Sequence, residues 1–412
     1  MAEHTDRFER RPLGEIESAG SRQLWARSSV ELTDDAVVVG QWDGTVTAFD
    51  RGSLAPRWEL THPGRPASLA VVDDALVVGG RGEDGTVAAY ALASGDRRWI
   101  LDAATDVGRP ATDRLFDLPS VLAFAVDAEA GTLYAAARRY ERDGDQRRWH
   151  SVVYALESDG AVRWRYETDA SPIALSLADE RDRLAVGYNR CAGGHNDGVV
   201  VLDAATGEPD WTWDPGTDGD RRVGDVSFAD GALAVASHGD KRGYVLEADG
   251  TERWGVDLAI ETDVGDETLY AYPNHVYAND GRVAFVTGNT YPVDGRATAS
   301  HHPNEHRIAA FDADGDSLWD ASVRGFVHEL ATEGDAIVAP CAQNFRVRDP
   351  RTHALRRFDL AAGEDGQHRI DGIVTAAAVD DDLIAEIEAP VEYHDEGRRH
   401  GEYAVLVGTC FA

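Results

Sequence analysis

Lysine is almost missing from this chain. Lys241 is the only one, so arginine supplies nearly all of the 40 positive charges, against 74 acidic residues and a formal net charge of −34. That balance excludes a general affinity for nucleic acid, because phosphate binding needs a basic field. The basic run near the start, Arg7 to Arg11, is short and broken by Glu9. An acidic, lysine-poor surface suits a protein held soluble in molar salt, where charge repulsion is screened within a few ångströms. The composition therefore reads as that of a halophile with high internal salt. Cysteine is sparse as well: Cys191, Cys341 and Cys410 form an odd set that suggests no disulfide framework. No apolar run approaches the ~18 residues of a membrane span. Met1 to Asp6 contains no apolar segment, and Arg10-Arg11 is followed by Pro12-Leu13-Gly14, so neither a secretory nor a twin-arginine signal is read. A cytoplasmic protein without membrane insertion is expected. A nucleophile elbow, a P-loop and a His-Glu-x-x-His zinc motif are all missing.

What the chain does have is a recurring phrase. In Asp197 to Trp211 an alternating apolar strand ends at Asp203, a turn follows at Gly207, and Trp211 comes four residues after the glycine. The same spacing joins Gly95 to Trp99, Gly160 to Trp164, Gly250 to Trp254 and Gly315 to Trp319. Strand-like units at a period of roughly 35–50 residues predict a β-propeller. The glycine supplies the positive φ of a tight turn. The acid accepts backbone N–H bonds across that turn, and the indole covers the rim while its N–H reaches a carbonyl. Trp25, Trp58, Trp99, Trp164, Trp211, Trp254 and Trp319 are the expected structural repeat positions. In departures from the phrase, Ala91 replaces the acid, Leu54 replaces the glycine, and the seventh unit places His353 at the glycine and Phe358 at the tryptophan.

The fold class expected is all-β: a single eight-bladed propeller of four-stranded blades, with seven blades as the alternative. Residues 22–412 form it and residues 1–21 an N-terminal extension. The last unit lacks an outer strand, and Arg22-Gln23-Leu24-Trp25 is expected to supply it and close the ring. The pattern of Asp203, Gly207 and Trp211 resembles the PQQ-like (pyrroloquinoline quinone) propeller repeat, a resemblance that covers roughly residues 22–411. Members include quinoprotein alcohol dehydrogenases and the propeller lipoprotein of outer-membrane barrel assembly. The resemblance implies the fold more than any activity. The adjacent cysteine pair characteristic of the dehydrogenases does not occur here, nor does the cysteine of a lipoprotein signal.

Function should sit on long loops. Arg138 to Trp149, Asn189 to Asn196, Asn289 to Glu305 and Glu388 to Gly401 interrupt blades three, four, six and eight. Thr105 to Gly108 and Thr262 to Gly265 both read Thr-Asp-Val-Gly, so blades three and six are expected to be built alike. The interaction-loop candidates are Trp149, His195, His301, His302, His306 and His394. Cys191 with these histidines offers zinc-type donors, but the spacing matches no metal motif, and no metal site is assigned. Asp312 to Asp316 begins like a calcium loop without its twelfth-position Glu. At the channel mouth, Arg114, Tyr272, His275 and His328 are candidates to hold a planar or anionic small molecule. The function expected is a non-catalytic scaffold that binds a protein partner through the long loops on one face. The alternative is a small-molecule- or quinone-binding propeller, an oxidoreductase working at the channel mouth. No catalytic residue is assigned, and no cofactor is supported, whether PQQ or a metal ion.

Overall fold

The computed structural model describes residues 8–20, 28–109, 119–144, 146–295, 297–341, 348–381, 383–393 and 397–409. The chain separates into two compact units: residues 1–42, 47–57 and 258–412 in one, and residues 43–46 and 58–257 in the other. Helix is confined to two short segments among the described residues, Ala104–Val107 and Pro350–Thr352. The rest of the regular structure is strand, chiefly in antiparallel meanders of four; the meander ending at Ser317–Ser322 has a fifth strand, and Ala19–Gly20 pairs in parallel with Val391–Tyr393.

The second unit holds four such meanders in chain order. They begin at Arg65–Val72, Ser120–Asp127, Ser171–Leu177 and Val223–Ala229 and end at Arg97–Asp102, Val162–Thr168, Pro209–Trp213 and Glu252–Asp257. We number these sheets two to five. The first unit holds sheet one, from Ser29–Leu32 to Pro56–Thr61, together with sheets six, seven and eight, whose strands follow Leu258 except for one of sheet eight. Residues 43–46 and those beyond 57 in sheet one fall to the second unit.

The sequence pattern explains the layering. Second strands such as Ala36–Gly40 and Ala232–Ser237 are buried at every position, consistent with their unbroken small and β-branched residues. Outer strands such as Arg97–Asp102 and Ser317–Ser322 alternate between exposed and half-buried, the period of two expected when one face meets water. The cores lie between neighbouring sheets. One joins sheets two and three through Val77, Val121 and Tyr154, and another joins six and seven through Val286, Ile337 and Phe358.

The repeated turn behaves as its chemistry requires. Asp203 Oδ1 accepts from the backbone N–H of Ala205 (3.1 Å) and Thr206 (2.8 Å), and these bonds hold the carboxyl below the usual carboxylate range, with the Thr206 hydroxyl as the main cause. Gly207 has φ +74° and lies under the indole of Trp164. That indole donates to the Ala204 carbonyl at 3.0 Å. Trp58, Trp99, Trp211 and Trp319 likewise donate to Leu92, Ser158, Ala248 and Leu360 in the next sheet's turn, at 2.8–3.0 Å. Leu54, the glycine substitute, is forced to φ +50° and is buried.

Three expectations need correction. In sheet seven the turn phrase is Asp359, Gly363 (φ +96°) and Gln367, one full strand later than expected. Phe358 lies on the third strand, stacked on Trp319, and His353 is buried beside Tyr393. Thr105 to Gly108 closes a helical turn, whereas Thr262–Val264 is a strand paired with Glu267–Leu269, so the two Thr-Asp-Val-Gly segments are not built alike. Finally, the outer place of sheet eight is taken by Phe8–Pro12, which pairs antiparallel along Ala404–Gly408. Residues 22–25, including Trp25, lie outside the described residues. Phe8 stacks on His368 (3.9 Å, 2°), and Arg10 Nη1 reaches the buried Glu388 carboxylate at 2.6 Å.

Candidate functional site

In the first unit, sheet six has the longest strands among the described residues. Its strands Glu267–Asn279 and Arg282–Pro292 run 13 and 11 residues, and the insertion that follows folds back on them. Side chains two apart on a strand share a face, so Tyr270 and Tyr272 point the same way. Tyr291 sits directly across from Tyr270 in the register. The three rings close a triangle with centroids 5.4–5.8 Å apart. Tyr291 is 41% exposed, and Val293, two residues on, is 44% exposed.

A buried polar knot holds this patch rigid. Glu305 Oε2 accepts from the Thr290 hydroxyl (2.7 Å) and lies 2.6 Å from His301 Nδ1. His306 Nε2 bonds Asn289 Oδ1 at 3.0 Å. His302 is buried, its pKa lowered by that burial. It donates its backbone N–H to Thr290 Oγ1 and directs Nε2 at the Ile260 carbonyl at 3.0 Å. Asn304 Nδ2 donates to the Leu258 carbonyl. The three loop histidines therefore bond protein groups one by one instead of converging on a single point. Their work here is to brace the segment that displays the tyrosines.

The other candidates are scattered. Tyr272 belongs to the tyrosine triangle. His275 Nε2 bonds the Val327 carbonyl at 3.0 Å, tying sheet six to the approach to sheet seven, and His328 follows half-buried. Arg114 and His394 lie outside the described residues. In the second unit, Trp149 packs on Tyr140 (4.7 Å), with Arg138 over its ring at 5.5 Å. His195 packs on Tyr188 and bonds the Asp197 carbonyl, and burial lowers its pKa. Burial pushes the neighbouring Cys191 thiol up to about 12, and it donates to the same carbonyl. Among the described residues, Glu333, Asp380 and Asp381 form the one cluster close enough to share an ion. Asp380 already pairs with Arg51, and the Asp381 N–H donates to Glu333.

Sequence reasoning missed two arrangements. One is the tyrosine triangle, because the pairing of Tyr270 with Tyr291 depends on register. The other is a row of arginines and serines in the second unit, whose members lie far apart in the chain.

Comparison with known proteins fits this architecture. A family model described as outer membrane protein assembly factor BamB matches residues 14–151 and 195–357, more than half of the chain. The chain belongs to that family of PQQ-like β-propellers. No curated protein matches it. Among solved structures it is similar to BamB from Moraxella catarrhalis, at 17% identity and TM-score 0.54, covering 93% of this chain and 94% of that one. A computationally designed protein, Ika8, matches at 15% identity and TM-score 0.60, over 96% and 100% of the two chains. Quinohemoprotein alcohol dehydrogenase from Comamonas testosteroni matches at 13% identity and TM-score 0.62, over 92% of this chain and 74% of that one. At these identities the likeness shows the fold. No helix among the described residues is long and apolar enough to cross a membrane.

Proposed function

We propose that this protein is a non-catalytic scaffold, with four blades in each unit, that grips a protein partner through the tyrosine-lined surface of sheet six. It works in a cytoplasm of high salt, the setting its lysine-poor acidic composition suits. One observation carries the reading. Among the described residues five large apolar side chains are exposed, and two of them, Tyr291 and Val293, stand two apart on this one braced surface. A rigid aromatic and aliphatic patch in an otherwise acidic protein is the composition of an interface core. Tyrosine adds contact area with little rotamer entropy to lose. Molar salt weakens surface ion pairs but leaves apolar contact intact, which favours such a patch over charge pairing.

The test is capture at molar potassium chloride with quantitative mass spectrometry. The full chain would be compared with a Tyr291→Ser/Val293→Ser variant and with Leu318→Ser, which alters an exposed apolar residue on an outer strand. One stoichiometric protein should be retained by the wild type and Leu318→Ser and lost from the double variant. Equal retention by all three, or no stoichiometric partner for the wild type, would sink the reading.

A further inference from the structure

Within the second unit, arginines and serines alternate along one end of consecutive sheets. Arg81 ends the second strand of sheet two and pairs in register with Arg65 and with Ser120, the first residue of sheet three. Its Nε points at Ser120 Oγ, 3.4 Å away. Ser120 in turn faces Arg138 across the register. Arg138 repeats the gesture one sheet further on, donating from Nη1 to Ser171 Oγ (2.6 Å) and the Pro172 carbonyl (3.0 Å). Ser171 is the register partner of Arg190, and Arg190 bridges to Arg221. Both serines are buried, and the four arginines are half-buried.

The electrostatics are unfavourable at two members of this row, Arg138 and Arg190. The Arg138 guanidinium bonds a hydroxyl and a carbonyl and lies over the Trp149 ring, and its Nε is buried without a hydrogen bond. Burial, and then the like charge of Arg81, hold its guanidinium down at about 10. Arg190 is also lowered, by burial and then by Arg221, even though Asp220 bonds it at 2.6 Å. Half-buried like charges are screened much less than surface ones. In a chain of net charge −34, Arg138 and Arg190 are each set beside another cation. A bound anion would reverse the sign of the interaction. Guanidinium forks beside hydroxyls match a phosphate, whose three terminal oxygens accept from both donor types at once. The row offers this combination twice, at Arg81–Ser120–Arg138 and at Arg138–Ser171–Arg190.

We propose that the row Arg81–Ser120–Arg138–Ser171–Arg190–Arg221 is a binding site for a small anion carrying two phosphate groups, one at each serine. The site lies in the second unit and is independent of the tyrosine surface.

Calorimetric titration of the full chain in molar potassium chloride, with inorganic pyrophosphate as the probe, tests this. Wild type should bind one pyrophosphate per chain. Arg138→Gln and Arg221→Gln should each weaken it at least tenfold, while Arg98→Gln, on an outer strand, should leave it unchanged. Should Arg138→Gln fail to fold, as judged by thermal melting, Arg221→Gln decides. No binding by the wild type, or equal binding by the folded variants, overturns the proposal. Citrate binding as tightly as pyrophosphate overturns the assignment to phosphate.

Discussion

Adding one methyl group at Gly207 gives the sharpest test of the packing logic. A Cβ there would lie 2.5 Å from Trp164 Cδ2 and 2.7 Å from Cε3, distances no side chain tolerates. The indole cannot retreat, because it is 9% exposed and its N–H is committed to the Ala204 carbonyl. Gly207 also has φ +74°. Alanine in that region costs about 1–2 kcal/mol by itself, and overpacking adds about 1–3 kcal/mol. Gly231 provides the matched control. Its φ is +72°, but nothing lies within 4 Å of its added Cβ, so Gly231→Ala should show the backbone cost alone. Urea unfolding in molar potassium chloride, followed by far-ultraviolet circular dichroism, should place Gly207→Ala below Gly231→Ala by about 1–3 kcal/mol. In a Trp164→Ala background, already weaker by about 3–5 kcal/mol, that difference should vanish. Equal shifts for the two glycines, or a difference that persists without the indole, would show that the glycine is there for the turn only.

Other expectations follow from buried charge. Burial, reinforced by Glu329 and Asp380, raises the Glu31 carboxyl from 4.5 to about 7, so the folded state holds its proton more tightly than the unfolded chain does. Stability from this group is present below pH 4.5 and lost as pH rises to 7. Glu31→Gln should abolish that slope and gain about 3 kcal/mol at pH 8, read from urea midpoints. His62 behaves in the opposite sense. Burial lowers it from 6.5 to about 4, so stability is intact above 6.5 and falls as pH drops towards 4, and His62→Gln should flatten the acid limb. Arg10→Ala leaves the Glu388 carboxylate buried without its cation, which should cost about 3–5 kcal/mol at neutral pH and be partly restored by adding Glu388→Gln.

The sequence made the repeat legible wherever its three markers stood together, as at Asp203, Gly207 and Trp211, because turn, acid and indole each have a local cause. Where a marker was replaced, the register slipped. Gln367 stands at the tryptophan position of sheet seven, and without the indole the pattern points to Phe358, a core residue of the preceding strand. Thr-Asp-Val-Gly was read as one structure and proved to be two, since four residues do not choose between a helical turn and a strand until a neighbour such as Leu269 pairs with them. The loop histidines were recognised as a group, yet their partners Thr290, Asn289 and the Ile260 carbonyl could be found only once the insertion was folded. The arginine row was illegible for the same reason: it exists only because successive strand ends are brought into one line.

The pairing of Phe8–Pro12 with Ala404–Gly408 bears on how this protein is made. Arg10 and Glu402, which touch across that seam, are separated by 392 residues. Closing so long a loop costs about 2 kcal/mol more than joining strands some forty residues apart. On the ribosome the early strand must wait unpaired until almost the whole chain has been synthesised. Meanwhile the other sheets can form as local hairpins, so the last sheet is the slow and vulnerable step, with an open edge ready to pair with another chain. Moving the chain break into a surface turn elsewhere, with the two ends linked, would convert this seam into a local hairpin and remove the wait.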